Sequence, residues 1–228
     1  MAGRNGRRAA DGDTRDRLMA ATAAIIREEG YAAATSRRVA ERAGVRSALV
    51  YYYFPTMDDL YLAVMRTGAE HALARMRKAL SEQDPLRALW VINSEDRFTQ
   101  LNTEFMALAN HRKVIGAELR AYAERVRDIE TAAVTLVLRA HGVDTEAFPP
   151  VAMSMLLTGA ARMICNESAV GMTQGHEELR AFVERFLEQY RMPTVAGPAP
   201  TATTDTTAGP VDPDDHPLTP PGPDATVI

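Results

Sequence analysis

The chain has 228 residues, of which 46% are hydrophobic and 25% are charged, so one or two domains with a sizeable core are possible. No run of about 18 apolar residues occurs, which excludes a hydrophobic membrane span, and residues 1–13 lack the apolar segment of a secretory signal. A single cysteine, Cys165, excludes an internal disulfide framework. These features predict a cytoplasmic protein, with Cys165 as a small buried hydrophobic residue.

The charge is distributed unevenly along the chain. Residues 1–56 carry ten arginines and six carboxylates, whereas residues 57–192 carry 16 basic and 19 acidic residues. The segment from residue 193 onward carries five aspartates and no basic residue. Positive charge concentrated in the first quarter of a chain whose net charge is −4 indicates an electrostatic contact with nucleic acid there.

The N-terminal segment predicts a basic arm followed by a helix. Residues 1–13 are expected to be a flexible arm that contains Arg4, Arg7 and Arg8. The first helix is expected to begin near Thr14, a plausible N-cap, and to end at Gly30. Its inner face repeats at helical spacing through Leu18, Ala21, Ile25 and Ile26.

Two short helices are predicted next, joined by a tight turn. Thr35 or Ser36 caps the first of them, which ends in Ala43-Gly44-Val45. Gly44 fits a turn that requires a positive φ, which a Cβ would penalise. The second helix starts near Arg46-Ser47 and ends by Phe54, because Pro55 disfavours helical dihedral angles at the residue before it. This pattern is typical of a helix-turn-helix, whose second helix enters the DNA major groove.

The segment resembles the N-terminal domain of the TetR (tetracycline-repressor-type) family of transcriptional regulators. The resemblance covers about a fifth of the chain, and its combined spacing is highly specific. It rests on Thr14-Arg15, Gly30-Tyr31, Thr35-Ser36, Val39-Ala40, Ala43-Gly44-Val45, Tyr51, Phe54 and Leu60. One position departs from the pattern: Met57 stands where the family often has a lysine that binds a phosphate.

The predicted DNA contacts come partly from position and partly from the resemblance. Ser47, Ala48 and Leu49 lie at the N-terminal end of the recognition helix, which reaches base edges. The resemblance implies that Tyr51 contacts a base or sugar and that Arg37 can reach a base. The predicted phosphate contacts are Tyr52 and Tyr53, from the resemblance, together with Thr35, Ser36 and Arg46. Tyr51 and Phe54 are equally open to a structural role, whereas Tyr52 and Tyr53 cannot both be buried beside them.

The remainder of the chain predicts further helices and no strand, which makes the fold all-α with about nine or ten helices. Thr56 caps a long connecting helix that runs to about Leu80, and Asp84-Pro85 starts the next. Later helices are predicted from apolar residues at three- and four-residue spacing up to about residue 191. The expected domains are a three-helix DNA-binding domain (14–60), a helical-bundle ligand-binding and dimerisation domain (61–192) and a disordered tail (193–228).

The resemblance implies a homodimeric repressor that is released from a near-palindromic operator by a small-molecule effector. Polar residues within apolar helical stripes, together with aromatic residues and methionines, suggest a pocket for a mainly apolar effector, although core packing is the alternative for each of them. The predicted pocket residues are His71, Trp90, Phe98, Asn102, Phe105, Met106, Met153, Arg162, Met163 and Asn166.

The last two helices are the expected dimer interface, because each has a stripe too apolar to stay exposed in a monomer. The alternative is that these stripes belong to the monomer core. The predicted interface residues are Leu157, Ala160, Ala161, Ile164, Leu179, Phe182, Val183, Phe186 and Tyr190.

Catalytic, metal and cofactor sites are not predicted. The five histidines lack metal-ligand spacing, and neither a Gly-rich phosphate loop nor a nucleophile elbow appears. Glu167-Ser168 beside Cys165 has no identifiable oriented base. An enzyme and a ligand-independent DNA-binding protein are the alternatives to a ligand-responsive regulator.

Overall fold

A computed structural model describes the backbone of residues 3–192 and the side chains of residues 12–95 and 100–192. Over this range the chain forms nine α-helices and one 3₁₀ turn (Tyr31–Ala33) and contains no strand, which confirms the all-α prediction. The helices are α1 (Gly3–Glu29), α2 (Ser36–Ala43), α3 (Ser47–Tyr53), α4 (Met57–Ala79), α5 (Pro85–Asn93), α6 (Asp96–Ala109), α7 (Lys113–Ala140), α8 (Pro150–Ala169) and α9 (His176–Gln189). The tail predicted over residues 193–228 lies outside the described residues.

The N-terminal arm differs from the sequence prediction. α1 begins at Gly3, so most of the segment expected to be a flexible arm over residues 1–13 is helical, and Thr14 lies inside the helix and does not cap it. The physical reason is that residues 7–10, Arg-Arg-Ala-Ala, are strong helix formers. They extend the helix on the N-terminal side of Thr14. Gly12, which also lies in this part of α1, is exposed, and a Cβ added there would meet no neighbouring atom.

The other helix starts follow the sequence. Thr35 accepts a hydrogen bond from the N–H of Arg38 at 3.3 Å. Thr56 and Asp59 form a capping box, with each side chain accepting from the other residue's backbone N–H at 3.1 and 3.0 Å. Asp84 caps α5, and Pro85 occupies its first turn.

Two apolar clusters hold the helices together. The first joins α1–α4 and also includes Phe105 and Leu108 of α6 and Ile115 of α7. The second joins the C-terminal half of α4 with α5, α7 and α9. α4 therefore contributes to both clusters, as a connecting helix should, although Thr67 and His71 in the middle of this helix are exposed.

Two negative findings apply to the described residues. No helix there is long and apolar enough to cross a membrane. No group of three or more histidine, cysteine or carboxylate side chains there could hold a metal ion. Cys165 is buried, and its thiol donates to the carbonyl oxygen of Ser94 at 3.5 Å.

Candidate DNA-binding surface and ligand cavity

The turn between α2 and α3 has the geometry that the sequence predicted. Gly44 has φ 65° and ψ 38°, a left-handed conformation that glycine adopts without steric cost. The N–H of Val45 donates to the carbonyl of Ala40 at 2.9 Å. The guanidinium of Arg17 in α1 donates to the carbonyl oxygen of Ala43, which fixes the end of α2 against α1. The two helices are thereby held as one rigid unit.

α3 separates into a buried and an exposed face. Val50 is fully buried and Phe54 is 2% exposed, with the guanidinium of Arg15 5.0 Å from the centre of the Phe54 ring. Tyr51 and Tyr52 are 53% and 70% exposed, whereas Tyr53 is half-buried against the first cluster. Of the two positions that the sequence left open, Phe54 is therefore buried in the core, whereas Tyr51 is exposed.

The N-terminal end of α3 is also accessible. Ser47 and Ala48 are exposed, Leu49 is half-buried, and the hydroxyl of Tyr51 donates to Ser36 Oγ at 3.3 Å. The aromatic rings of Tyr52 and Tyr53 meet edge to face, with their centres 5.0 Å apart. The surface thus presents a small polar group, apolar side chains and phenol hydroxyls together.

The arginines around this surface fall into two classes. Arg38 pairs with Glu29 at 3.1 Å and Arg42 pairs with Glu28 at 2.8 Å, and both pairs attach α2 to α1. The hydrogen bond to Glu29 raises the pKa of Arg38 above its ordinary value. Among the described residues, Arg37 and Arg46 are exposed and form no ion pair. Their charges are available to a phosphate backbone.

Three contacts connect this domain to the rest of the chain. The Tyr61 hydroxyl donates to the carbonyl of Ala34 at 2.9 Å, and burial raises the pKa of this phenol. The N–H of Tyr31 donates to Glu104 of α6 at 2.8 Å. Asp58 of α4 pairs with Arg112 just before α7. Met57, which stands where a phosphate-binding lysine is frequent, packs half-buried against the first cluster.

A cavity of about 100 Å³ lies between α4, α5, α6, α7 and α8. Three predicted pocket residues, Asn102, Phe105 and Arg162, line it. The remaining lining residues are Val64, Met65, Gly68, Ala69, Ala72, Arg75, Met76, Ile92, Asn93, Leu101, Leu119, Tyr122 and Val126.

Six predicted pocket residues do not line this cavity, because their helical phase turns them elsewhere. His71, Met106, Met163 and Asn166 are exposed, and Asn166 accepts a hydrogen bond from Thr103 at 3.3 Å. Trp90 and Met153 pack against the second cluster. The side chain of Phe98 lies outside the described residues.

Sequence reasoning missed three polar lining residues, Arg75, Asn93 and Tyr122. Two of them interrupt an apolar stripe: Arg75 lies between Ala72 and Met76 on α4, and Tyr122 lies between Leu119 and Val126 on α7. A search for single polar residues within long apolar stripes would have found these two.

A second, smaller space beside the cavity contains a buried carboxylate. Glu130 is 2% exposed and accepts hydrogen bonds from Asn93 at 3.0 Å and Thr158 at 2.7 Å. Arg127 pairs with its other oxygen at 3.3 Å. Because Asn93 lines both spaces, this network supports one wall of the larger cavity.

The predicted dimer residues separate by helix face. Ala161, Ile164 and Val183 are buried within the protomer and are not available at its surface, because they face the protomer's own helices. Leu157, Leu179, Phe186 and Tyr190 are half-buried against the second cluster, Ala160 is half-buried, and Phe182 is 59% exposed. The opposite face of α8 exposes Val151, Met155, Leu156 and Met163, and the exposed Val170 follows the end of the helix.

The sequence comparisons match the N-terminal part of the chain. Residues 18–64 match a family model described as bacterial regulatory proteins, tetR family. The regulator BetI 2 of Chromohalobacter salexigens is 40% identical over 74 residues, which are 31% of this chain and 36% of that protein. The activator FasR of Mycolicibacterium smegmatis is 32% identical over 77 residues, 34% of this chain and 35% of that protein. The chain thus matches about a third of the length of these two relatives.

The structural comparisons extend over most of the chain. A TetR-family regulator from Mesorhizobium loti has a TM-score of 0.62 at 18% identity and covers 79% of this chain and 96% of its own. FadR of Bacillus subtilis, solved with stearoyl-CoA, has a TM-score of 0.58 at 14% identity and covers 77% of this chain and 96% of its own. At these identities the similarity establishes the fold. The curated relatives and the fold neighbours named here are transcriptional regulators. The chain therefore resembles the tetR family of bacterial regulatory proteins in its N-terminal sequence, and it shares the fold of the solved members over most of its length.

Proposed function

We propose that the chain binds operator DNA as a homodimer and represses transcription until a mainly apolar small molecule binds in the α4–α8 cavity. The observation that carries the proposal is the accessible N-terminal end of α3, with exposed Ser47 and Ala48 beside the ion-pair-free Arg37 and Arg46. Short polar and apolar side chains there suit base edges, and the arginines suit phosphates.

The dimer part of the proposal rests on α8 and α9. Met155, Leu156 and Phe182 are all more than half exposed on these two helices. Gly159 lies on the same face of α8 and has open space around it, so a second helix could approach closely. Two protomers that pair these helices would form a four-helix bundle and place two recognition helices on successive half-sites, about 34–36 Å apart.

The effector part of the proposal rests on the cavity. Its wall is largely apolar and contains a few polar groups, which is the usual composition of a small-molecule site. FadR, which shares the fold, was solved with stearoyl-CoA, a ligand that combines a long apolar acyl chain with a charged headgroup. α6 lines the cavity through Phe105 and Asn102, and it also contacts the DNA-binding part, since Glu104 accepts a hydrogen bond from Tyr31. α4 borders the cavity as well, so two helices connect the cavity to the DNA-binding part.

Release would follow from a change in the spacing of the recognition helices. An effector that prefers the non-binding conformation shifts the population towards it. To change the ratio of the non-binding to the DNA-binding conformation from 1:99 to 99:1, the effector must bind the non-binding conformation more favourably by about 5.5 kcal/mol.

The experiment begins with selection of duplex DNA from a random pool by the full chain, followed by titration of the selected site and a scrambled site at several salt concentrations. Arg46→Ala should reduce the slope of log affinity against log salt by about one, because one phosphate contact is lost. Arg139→Ala is the matched control, since Arg139 is an exposed arginine at the end of α7. Failure to select any sequence, or an unchanged slope for Arg46→Ala, would contradict the proposal.

A further inference from the structure

Arg162 is a half-buried cation on the wall of the largely apolar cavity. Among the described residues, no carboxylate lies within ion-pair distance of it. A charge that is partly removed from water without a partner is unfavourable. An anion in the cavity would offset this cost.

The second basic residue on the wall, Arg75, provides an internal comparison. Its guanidinium forms two hydrogen bonds with the carboxylate of Glu95, one of them at 3.0 Å. The buried Glu130 is likewise engaged, by Asn93, Thr158 and Arg127. The charges of Arg75 and Glu130 are thus compensated by protein groups, whereas no described carboxylate pairs with Arg162.

No Asp or Glu occurs among the described residues that line the cavity, so its wall carries one uncompensated positive charge. One positive charge suits a monoanion better than a phosphate ester of charge about −2. The planar guanidinium matches a carboxylate through two parallel hydrogen bonds.

Uncharged hydrogen-bond donors on the cavity wall could bind a carboxylate together with Arg162. Asn102 and the phenol of Tyr122 also line the cavity, as does Asn93, whose amide already donates one hydrogen bond to Glu130. Burial raises the pKa of Tyr122, and the charge of Arg162 opposes that shift. Tyr122 therefore remains a neutral donor at physiological pH and adds no negative charge to repel an anion.

The apolar part of the wall determines the rest of the ligand. Val64, Met65, Leu101, Phe105 and Leu119 surround the space, which has a volume of about 100 Å³. Such a volume suits a single ring or a short alkyl chain and not a large polar group.

We propose that the effector is a compact monocarboxylate with an apolar body, and that Arg162 binds its carboxylate. This inference rests on the proposed function only in assigning the cavity to the effector.

The test compares each acid with its uncharged amide, which has nearly the same shape. Binding of octanoate and octanamide, and of phenylacetate and phenylacetamide, is measured by titration calorimetry on the full chain. At least one acid should bind about 10- to 100-fold more tightly than its amide, the expected range for a hydrogen-bonded charged group. Arg162→Gln should remove this preference, Arg162→Lys should retain part of it, and the exposed Arg139→Gln should leave it unchanged.

Equal binding of acid and amide, an acid preference that persists in Arg162→Gln, or no binding of any probe at millimolar concentration would overturn the proposal. Thermal melting of Arg162→Gln serves as the folding control, and the Lys variant replaces it if the Gln variant does not fold. Operator binding by the ligand-free chain separates this inference from the proposed function. If the chain binds its operator and only uncharged compounds release it, the function stands and the carboxylate assignment fails.

Discussion

At the scale of single residues, the recognition helix combines structural and contact side chains within two turns. Val50 and Phe54 are buried, whereas Ser47 and Tyr52 are exposed. The run of aromatic residues does not reveal this division by itself, because three tyrosines and a phenylalanine occupy consecutive positions. It follows from the rotation of α3 against α1 and α2, which Gly44 fixes.

We predict different effects for Ser47→Ala and Tyr52→Phe on DNA binding. Ser47→Ala should change the preference at particular base pairs by about 1–3 kcal/mol, because base-edge contacts specify the sequence. Tyr52→Phe removes only a hydroxyl and should weaken binding to all sequences equally. Titration of both variants against the selected and the scrambled site distinguishes the two roles. A uniform loss for Ser47→Ala would assign Ser47 to the phosphate contacts. The corresponding change at Tyr53 is less informative, since Tyr53 also packs against the first cluster.

We also predict that the contribution of Tyr61 to the stability of the protein depends on pH. Its hydroxyl donates to Ala34, and its pKa is raised because burial disfavours the charged form. Because the pKa of Tyr61 is higher in the folded state than in the unfolded state, the stability that the neutral phenol contributes is fully present below the unfolded-state pKa of about 10. It is lost as the pH rises through the folded-state pKa. Tyr61→Phe should therefore lower the free energy of unfolding by about 1 kcal/mol at pH 7.

The melting temperatures of the wild type and Tyr61→Phe should converge above a pH of about 10. Melting curves from pH 7 to 11 provide the measurement, and other tyrosines titrate equally in both proteins. A difference that stays constant across this range would show that ionisation of Tyr61 does not affect stability.

At the scale of the helices, local signals in the sequence predicted most of the boundaries. The caps Thr35, Thr56 and Asp84 lie at the predicted starts, because a cap depends on only a few neighbouring residues. The start of α1 was wrong for the opposite reason. Thr14 has the chemistry of a cap, but α1 continues through Asp11-Gly12-Asp13 to the helix-forming run Arg7-Arg8-Ala9-Ala10.

We predict that Thr56→Ala destabilises the protein by about 1 kcal/mol, because it removes one half of the capping box at the start of α4. Thr67→Ala is the matched control, since Thr67 is exposed in the middle of the same helix. That control should have little effect, because alanine is the better helix former. Urea unfolding of both variants gives the comparison, and equal midpoints would show that the cap does not limit stability.

The cavity could be predicted only in part, because it depends on the relative rotation of five helices. Asn102, Phe105 and Arg162 were found from stripes on single helices. The same reasoning wrongly placed Met106 and Met163 there, since an apolar residue at the edge of a stripe can lie on either side of it. The dimer residues show the same ambiguity: α8 is apolar on two faces, and the sequence selected several residues from the buried face.

At the scale of the whole molecule, the family resemblance and the all-α fold were predictable because the helix-turn-helix spacing is specific and apolar residues repeat at helical spacing. The packing of the later helices against the DNA-binding part of the chain was not predictable. Phe105, Leu108 and Ile115 of α6 and α7 join the cluster formed by α1–α4, so the core of the DNA-binding part extends past residue 60. Contacts that are distant in sequence leave no periodic signal.

We predict that deletion of residues 193–228 leaves melting temperature, ligand response and operator affinity nearly unchanged. The segment is rich in proline, and it has five aspartates and no basic residue to bind a phosphate. Loss of its negative charge should raise operator affinity slightly at low salt, with the gain screened at about 0.15 M salt. Melting and operator titration at two salt concentrations test this. A melting temperature lower by several degrees, or a lost ligand response, would assign the segment a working role.

The central claim, a homodimer that reads DNA through two α3 helices, is tested most directly by the number of protomers bound to one selected operator duplex. Sedimentation of the complex should give two protomers per duplex. Leu156→Glu, which places a charge on the exposed apolar face of α8, should reduce both dimer content and operator affinity. Val114→Glu, the same change at an exposed apolar residue of α7, should leave both unchanged. One protomer per duplex with full sequence selectivity, or a Leu156→Glu variant that still binds as a dimer with unchanged affinity, would contradict the account.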